Sequence, residues 1–271
     1  MKKYETNRLR DIAIIAHGKA GKTTLAEAML FDSASIDRLG RVDDGSSVMD
    51  FEAEEIKRNL SISTAFNHLE WNKHKINLID TPGDANFIVD TKNSLQAADG
   101  AVIVVDAVSG VEVQTEKVWE YASQFGLPRL FFVSKLDRER ADFSQSLADI
   151  QKVLTPKAIP LNLPIGSEDS FAGIVDLMAM KAFYFETNSS GKIREGEIPA
   201  SLQAEVKSAK EKLVEAIAES EDTLLEKYLE GQELSPEELS QGLRKGVLNK
   251  TIFPILCGSG LKNLGIQPLL D

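Results

Sequence analysis

Apolar residues in the first half of the chain fall into two alternating patterns. Asp11–Ala16 (DIAIIA) is a compact apolar run, and Gly21–Phe31 (GKTTLAEAMLF) then spaces its apolar residues at helical intervals. Ser61–Trp71 and His74–Asp80 flank the polar turn Asn72–Lys75 and predict a hairpin. Asp84–Asp99 is amphipathic at the helical period. Gly100–Ala107 (GAVIVVDA) and Arg129–Ser134 (RLFFVS) have the continuous apolar character of strands buried on both faces. Between them, Val111–Gly126 predicts a helix closed by Gly126. Such alternation predicts an α/β fold with a doubly wound, mostly parallel sheet, whose ligands sit beyond the carboxyl ends of the strands.

The pattern changes near Lys157. Residues 157–166, 171–178 and 181–186 look like short strands punctuated by Pro and Gly, and Thr187–Lys192 (TNSSGK) like a turn. Helices are expected at about 200–220, 222–230 and 236–248, the last opened by Ser235 as cap with Pro236 in the first turn. Thr251–Cys257 returns to buried-strand character. The expected organisation is a nucleotide domain, 1–156 and 251–271, with an inserted α+β subdomain over 157–250. Ile266–Asp271 reads as a helix in progress, so the chain is expected to be a piece of something longer.

Charge narrows the partners. The net charge of −11 repels nucleic acid phosphates on average, so this stretch alone should bind RNA weakly. Much of the surplus lies in Glu215–Leu239, either as a solvated helical face or as a docking face for a basic partner. The single cysteine, Cys257, can form no internal bridge, and a packing role suits it. The short apolar run after the polar Met1–Arg10 is below signal-peptide length, and no stretch could span a bilayer. A cytoplasmic monomer without membrane contact is expected.

The chemistry lies at the strand ends. Ala16, His17, Gly18, Lys19, Ala20, Gly21, Lys22 and Thr23 fit the phosphate-loop pattern with Ala in the first place, between a strand and a helix. Their backbone N–H groups and the helix terminus, extending to Thr24, would wrap a β-phosphate. Lys22 would neutralise the β/γ oxygens, and the Thr23 hydroxyl would ligate Mg²⁺. In Ser134, Lys135, Leu136 and Asp137 (SKLD), the Asp137 carboxylate can accept from both N1–H and the exocyclic amine of guanine. Adenine offers neither donor there and would leave a buried carboxylate unpaired. The Lys135 stem can cover one face of the base. In Asp80, Thr81, Pro82, Gly83 and Asp84 (DTPGD), Asp80 would hold Mg²⁺ through a water and the Gly83 N–H would meet a γ-phosphate. Ser61 would reach the same metal from the long loop that begins near Asp32, which makes both segments candidate switches. Gly258, Ser259 and Gly260 would bring backbone N–H groups to the guanine carbonyl.

These stretches resemble the nucleotide domain of elongation factor G along the whole chain. AHGKAGKTT, GRVDDGSSVMDFEAEEIKRNLSIST, IDTPGDANF, AADGAVIVVDAVSGVEVQTEKVW, SKLDR, EKYLEG and CGSGLKNLGIQPLL align in order with that family's pattern. The resemblance implies a ribosome-associated GTPase cleaving GTP to GDP and phosphate, with further domains after Asp271 and a contact between the insert and the acidic ribosomal stalk protein. That partner shares the insert's sign, so the contact would be local or apolar. The chain departs from the family's pattern in four places. The family has Asn at Ser134, where the amide braces the phosphate loop, so guanine affinity is expected to be lower here. It has Thr at Ser61, and Ser keeps the hydroxyl. It has Asp at Lys19, associated with a monovalent cation. The Lys19 ammonium either takes that cation's place or points to solvent. It has His at Asp84, where it helps to position the attacking water.

An aspartate facing a triphosphate at about 4 Å costs on the order of 4 kcal/mol at an effective dielectric near 20, roughly a thousandfold in rate. Protonation or a swung-out side chain would relieve it. Lys22, Gly83 and Asp84 are therefore the candidate catalytic positions, with slow turnover expected. The rivals are a guanine-nucleotide switch that does not hydrolyse, favoured by Asp84, and an ATP-using phosphate-loop kinase, disfavoured by SKLD.

Overall fold

A computed structural model describes residues 2–186 and 193–271. The turn expected at Thr187–Lys192 lies outside the described residues. In chain order the elements are β1 (Leu9–Ile15), α1 (Lys22–Asp32), α2 (Ala53–Arg58), β2 (Ala65–Trp71), β3 (His74–Asp80), α3 (Ile88–Leu95), β4 (Gly100–Asp106), α4 (Val113–Gln124), β5 (Arg129–Ser134) and α5 (Phe143–Asp149). There follow β6 (Ala158–Pro160), β7 (Asn162–Ile165), β8 (Gly173–Asp176), β9 (Lys181–Phe185), β10 (Ile193–Gly196), α6 (Gln203–Ala218), α7 (Asp222–Leu229), α8 (Pro236–Leu248), β11 (Phe253–Cys257) and α9 (Gln267–Leu270).

Seven strands form the main sheet in the order β2-β3-β1-β4-β5-β11-β6. All neighbours are parallel except the β2–β3 hairpin. The expected mostly parallel α/β sheet is therefore present. Its central strands are buried on both faces and split their side chains between two cores. Ala13, Ile103, Phe131 and Val133 face one side with Val118 of α4. Ile14, Val102, Val104 and Phe132 face the other with Leu25 and Met29 of α1. The period of two sorts the side chains between the two cores, and the parallel pairing places the carboxyl ends of all strands but β2 on one edge of the layer.

The second sheet is antiparallel, in the order β10-β9-β8-β7. The run 157–166, which reads as one strand, is two. β6 pairs with β11 in the main sheet, and β7 pairs with β8 in the second. Pro160 and Pro164 both lie in outermost strands, where a missing N–H is tolerated. The two sheets share a core, since Leu163, Ile174 and Leu213 belong to the same cluster as Phe131. α8 starts as expected, with Ser235 Oγ accepting from Glu238 N and the Glu238 carboxylate accepting from Ser235 N.

Three elements lacked a signal in the sequence reading: α2, α5 and β10. The helix expected from Asp84 begins as a 3₁₀ turn over Ala85–Phe87 and becomes α-helical at Ile88. Among the described residues no helix is long and apolar enough to cross a membrane. Cys257 is free and buried, and burial pushes its thiol pKa up, away from thiolate chemistry.

Candidate nucleotide site

β1 ends at Ile15 and the chain turns over α1, whose cap residue Gly21 has φ 102°. Only glycine takes that conformation without strain. A Cβ there would also lie 3.6 Å from Ser134 Oγ. The first N–H groups of α1 have no partner within the helix and stand at the edge where β1 ends, as an anion site requires. Lys22 is buried, and its Nζ donates to the His17 carbonyl at 2.9 Å. Burial lowers its pKa to about 8, opposed by the charges of Asp80 and Asp50. Gly83 of the next strand end lies against this pair, where a Cβ would overlap Lys22 Nζ and the His17 carbonyl.

A cavity of about 350 Å³ opens at this edge. It is lined by Gly18, Lys19, Gly21, Lys22, Thr23 and Thr24 from the phosphate-loop region, and by Ser61 and Gly83 from the two candidate switches. Ser134, Lys135, Asp137, Ser259 and Gly260 line its other end. Ala16, Ala20 and Leu136 are buried behind it, Thr81 donates to the Ile14 carbonyl at 2.8 Å, and the Pro82 carbonyl accepts from Thr91 Oγ1 at 2.7 Å. Gly258 is packed tightly, since a Cβ there would overlap the Leu264 carbonyl. These residues shape the walls from behind. His17 is also turned away from the cavity. Its Nδ1 shares a hydrogen bond with Thr115 Oγ1 at 2.8 Å, and burial lowers its pKa.

Lys135 joins three loops. Its Nζ donates to the Lys19 carbonyl at 2.7 Å and to Asp106 Oδ2 at 2.6 Å. Lys135 and Lys19 both have left-handed backbones, φ 63° and 64°, a conformation side chains adopt at some strain. The Lys19 side chain is exposed at the cavity mouth. Ser134 is short but not idle: its Oγ donates to the Ala20 carbonyl at 2.7 Å and so braces the phosphate loop. Asp137 is 8% exposed, and its Oδ1 is buried without a hydrogen-bond partner.

Thr23 Oγ1 and Ser61 Oγ are 3.1 Å apart. Both oxygens of Asp80 are buried without a partner, and burial pushes its pKa up to about 7 despite the Lys22 charge. Two hydroxyls beside a carboxylate with no partner suit a hard, oxygen-seeking cation such as Mg²⁺. No cluster of three His, Cys, Asp or Glu able to hold a metal occurs among the described residues, so a cation here would rely on hydroxyl, water and ligand oxygens. Sequence reasoning missed Asp50, which is buried, lines the same cavity and has an unpartnered Oδ2. It also missed Val42, Asp43, Asn59, Leu60, Arg138 and Leu261, which complete the lining. The loop residues among them lie inside the stretches that carry the family resemblance, but no period or residue type singles them out as cavity lining.

Asp84 does not line the cavity. Its Oδ1 accepts from the Asn86 backbone N at 2.9 Å and from Asn86 Nδ2 at 2.8 Å, which caps the 3₁₀ turn.

A family model described as the elongation factor Tu GTP binding domain matches residues 7–271. A crystal structure of a protein from Thermus thermophilus is 34% identical and superposes with a TM-score of 0.90 over 96% of this chain. This chain spans 39% of that protein's length.

Proposed function

The chain belongs to the elongation factor Tu GTP binding domain family of translational GTPases, and from that premise we propose that it is the GTP-binding portion of an elongation factor G-like factor acting on the ribosome. The observation that carries the reading is the convergence of the phosphate loop, Gly83 and Asp137 on one cavity, with the Asp137 carboxylate oxygen buried and unpartnered. In this reading the α1 terminus and Lys22 hold the β- and γ-phosphates. The Gly83 N–H senses the γ-phosphate, and Asp137 selects guanine. Thr23, Ser61 and Asp80 would hold Mg²⁺, which would supply charge neutralisation to the phosphates. Loss of the γ-phosphate releases Gly83 and Ser61, and this couples hydrolysis to movement of both segments. Residues 1–156 and 251–271 are proposed as the nucleotide domain and 157–250 as the insert, whose first strand, β6, joins the main sheet beside β11. The insert is the candidate contact for the ribosomal stalk protein, and the cytoplasm is the expected compartment for a monomer of this kind.

Hydrolysis to GDP and phosphate is proposed to be slow. Asp84 has no imidazole with which to position a water, and its carboxylate is engaged by Asn86. The same observation favours the second reading, a guanine-nucleotide switch that does not turn over. Lys19, exposed at the cavity mouth, is proposed to act as a tethered cation near the phosphates. Strong stimulation of binding by K⁺ over a large inert cation would oppose that assignment.

Calorimetry with GDP, a non-hydrolysable GTP analogue and ADP tests the core reading. Tight binding of both guanine nucleotides and none of ADP is expected, and equal binding of GDP and ADP overturns it. Single-turnover hydrolysis with and without ribosomes then separates the two readings. A rate matching ordinary translocases would refute the argument from Asp84.

A further inference from the structure

The loop from Ser33 to Thr64 carries Asp50 and Ser61 into the cavity, yet its only regular element is the six-residue α2. Two buried carboxylates, Glu27 and Glu55, each gather several of its hydrogen bonds. Glu27, in the middle of α1, is fully buried. Its Oε1 accepts from Ser47 Oγ at 2.7 Å, from Val48 N at 2.6 Å and from Met49 N at 3.1 Å. Ser47 Oγ in turn accepts from Met49 N and Asp50 N, both at 3.1 Å. Met49 seats its side chain in the α1 core cluster, 1% exposed. Further along, Glu55 Oε1 accepts from Ile62 N at 2.9 Å and Ser63 N at 3.1 Å, on the residues directly after Ser61.

We propose that Glu27 is a positioning residue for the metal side of the nucleotide site, a buried latch that holds residues 47–49 on α1 and so carries Asp50 and Ser61 to the cavity. Two features set this carboxylate apart from ordinary core packing. It is a buried acid whose hydrogen bonds reach across 20 to 22 residues into the loop. Its second oxygen, Oε2, is buried without a hydrogen-bond partner. Gly40 leaves space for that oxygen, since a Cβ there would overlap Glu27 Oε2 and crowd the Ser46 carbonyl at 2.8 Å. The three donors and the carboxylate satisfy one another while the loop is down, and all of these bonds must be exchanged for water when it lifts. The latch therefore favours the closed loop. A triphosphate with Mg²⁺ needs Ser61 in place, whereas a diphosphate relies on the phosphate loop, which Glu27 does not touch.

The inference rests on the nucleotide reading above, and its test separates the two. Affinities for GDP and for guanosine 5′-(β,γ-imido)triphosphate with Mg²⁺ are measured on the full chain and on Glu27→Ala, together with melting temperatures and the rate of tryptic cleavage at Arg38 and Arg41. The expected result for Glu27→Ala is a loss of about tenfold or more in analogue affinity, about 1.4 kcal/mol, with GDP affinity held within about twofold. Faster cleavage of the loop in the analogue-bound state is also expected. An unchanged ratio of the two affinities overturns the proposal. So does an equal loss for both nucleotides, which would mark a purely structural role. If Glu27→Ala does not fold, Ser47→Ala, which removes one donor and leaves α1 intact, decides with an expected ratio change of about threefold; no change there also overturns it. Failure of the unaltered chain to bind either guanine nucleotide would instead overturn the nucleotide reading and, with it, the basis of this inference.

Discussion

Substituting Asp137 by Asn tests the base site with almost no change of shape. The carboxylate is buried and its Oδ1 has no partner within the fold, so its hydrogen-bonding capacity is free for a ligand. Two charge-assisted bonds to guanine, from N1–H and the exocyclic amine, are each worth about 1.5–3 kcal/mol. Asparagine keeps one acceptor, removes the charge and points an NH₂ donor at a donor. The expected loss is about 3–4 kcal/mol, roughly 100- to 1,000-fold in GDP affinity. Xanthine carries a carbonyl where guanine carries the amine, so the new NH₂ finds an acceptor and affinity for xanthosine diphosphate rises. Calorimetry with GDP and xanthosine diphosphate on both proteins reads the two changes directly. The melting temperature should hold or rise, because a buried charge has been removed. GDP binding within threefold of the unaltered chain, or no gain for xanthosine diphosphate, refutes the assignment.

Ser134→Ala removes the donor to the Ala20 carbonyl and loosens the phosphate loop. Calorimetry should show about tenfold weaker binding of GDP and the GTP analogue alike, an energy of about 1.4 kcal/mol, with discrimination against ADP retained. Arg129→Ala empties the site between Trp119 and Phe253, whose rings lie 3.8 and 5.0 Å from the guanidinium carbon. Urea denaturation should show a loss of about 2–4 kcal/mol, while GDP affinity stays put because Arg129 lies at the opposite end of β5 from the cavity. The Asp80 pKa is raised from 3.8 to about 7 by burial, so the folded chain binds more protons than the unfolded chain between those values. In EDTA, this group's stabilising effect is fully present below pH 3.8 and is lost as pH rises through 7. Asp80→Asn should flatten that part of the melting-temperature profile, and stabilisation by added Mg²⁺ should grow with pH over the same window.

The parts of the site legible in the sequence are those in which strand, turn and chemical group are consecutive. Lys22, Gly83 and Asp137 each follow an apolar run by a few residues, and the sheet turns that local fact into a shared cavity, with Asp80 buried at the end of β3. Where a position depends on a distant contact, residue type alone misleads. The length of Ser134 predicts a weakened brace, yet β5 ends close enough to the phosphate loop for its hydroxyl to reach Ala20. Asp84, read as facing the triphosphate, has a donor two residues away in Asn86, and DAN is itself a recognisable Asx-turn signal. A local hydrogen bond of this kind competes with the long-range role that a motif suggests. The loop over 33–64 is the extreme case. It has little periodicity, its one helix relies on Glu55 reaching back to Glu52 N, and its anchoring oxygen belongs to a helix 20 residues earlier. In α1, Glu27 reads as an ordinary helix former in an alanine-rich stretch. Only burial separates it from the solvated glutamates of the second half, and burial is a property of the packed sheet that no local pattern encodes.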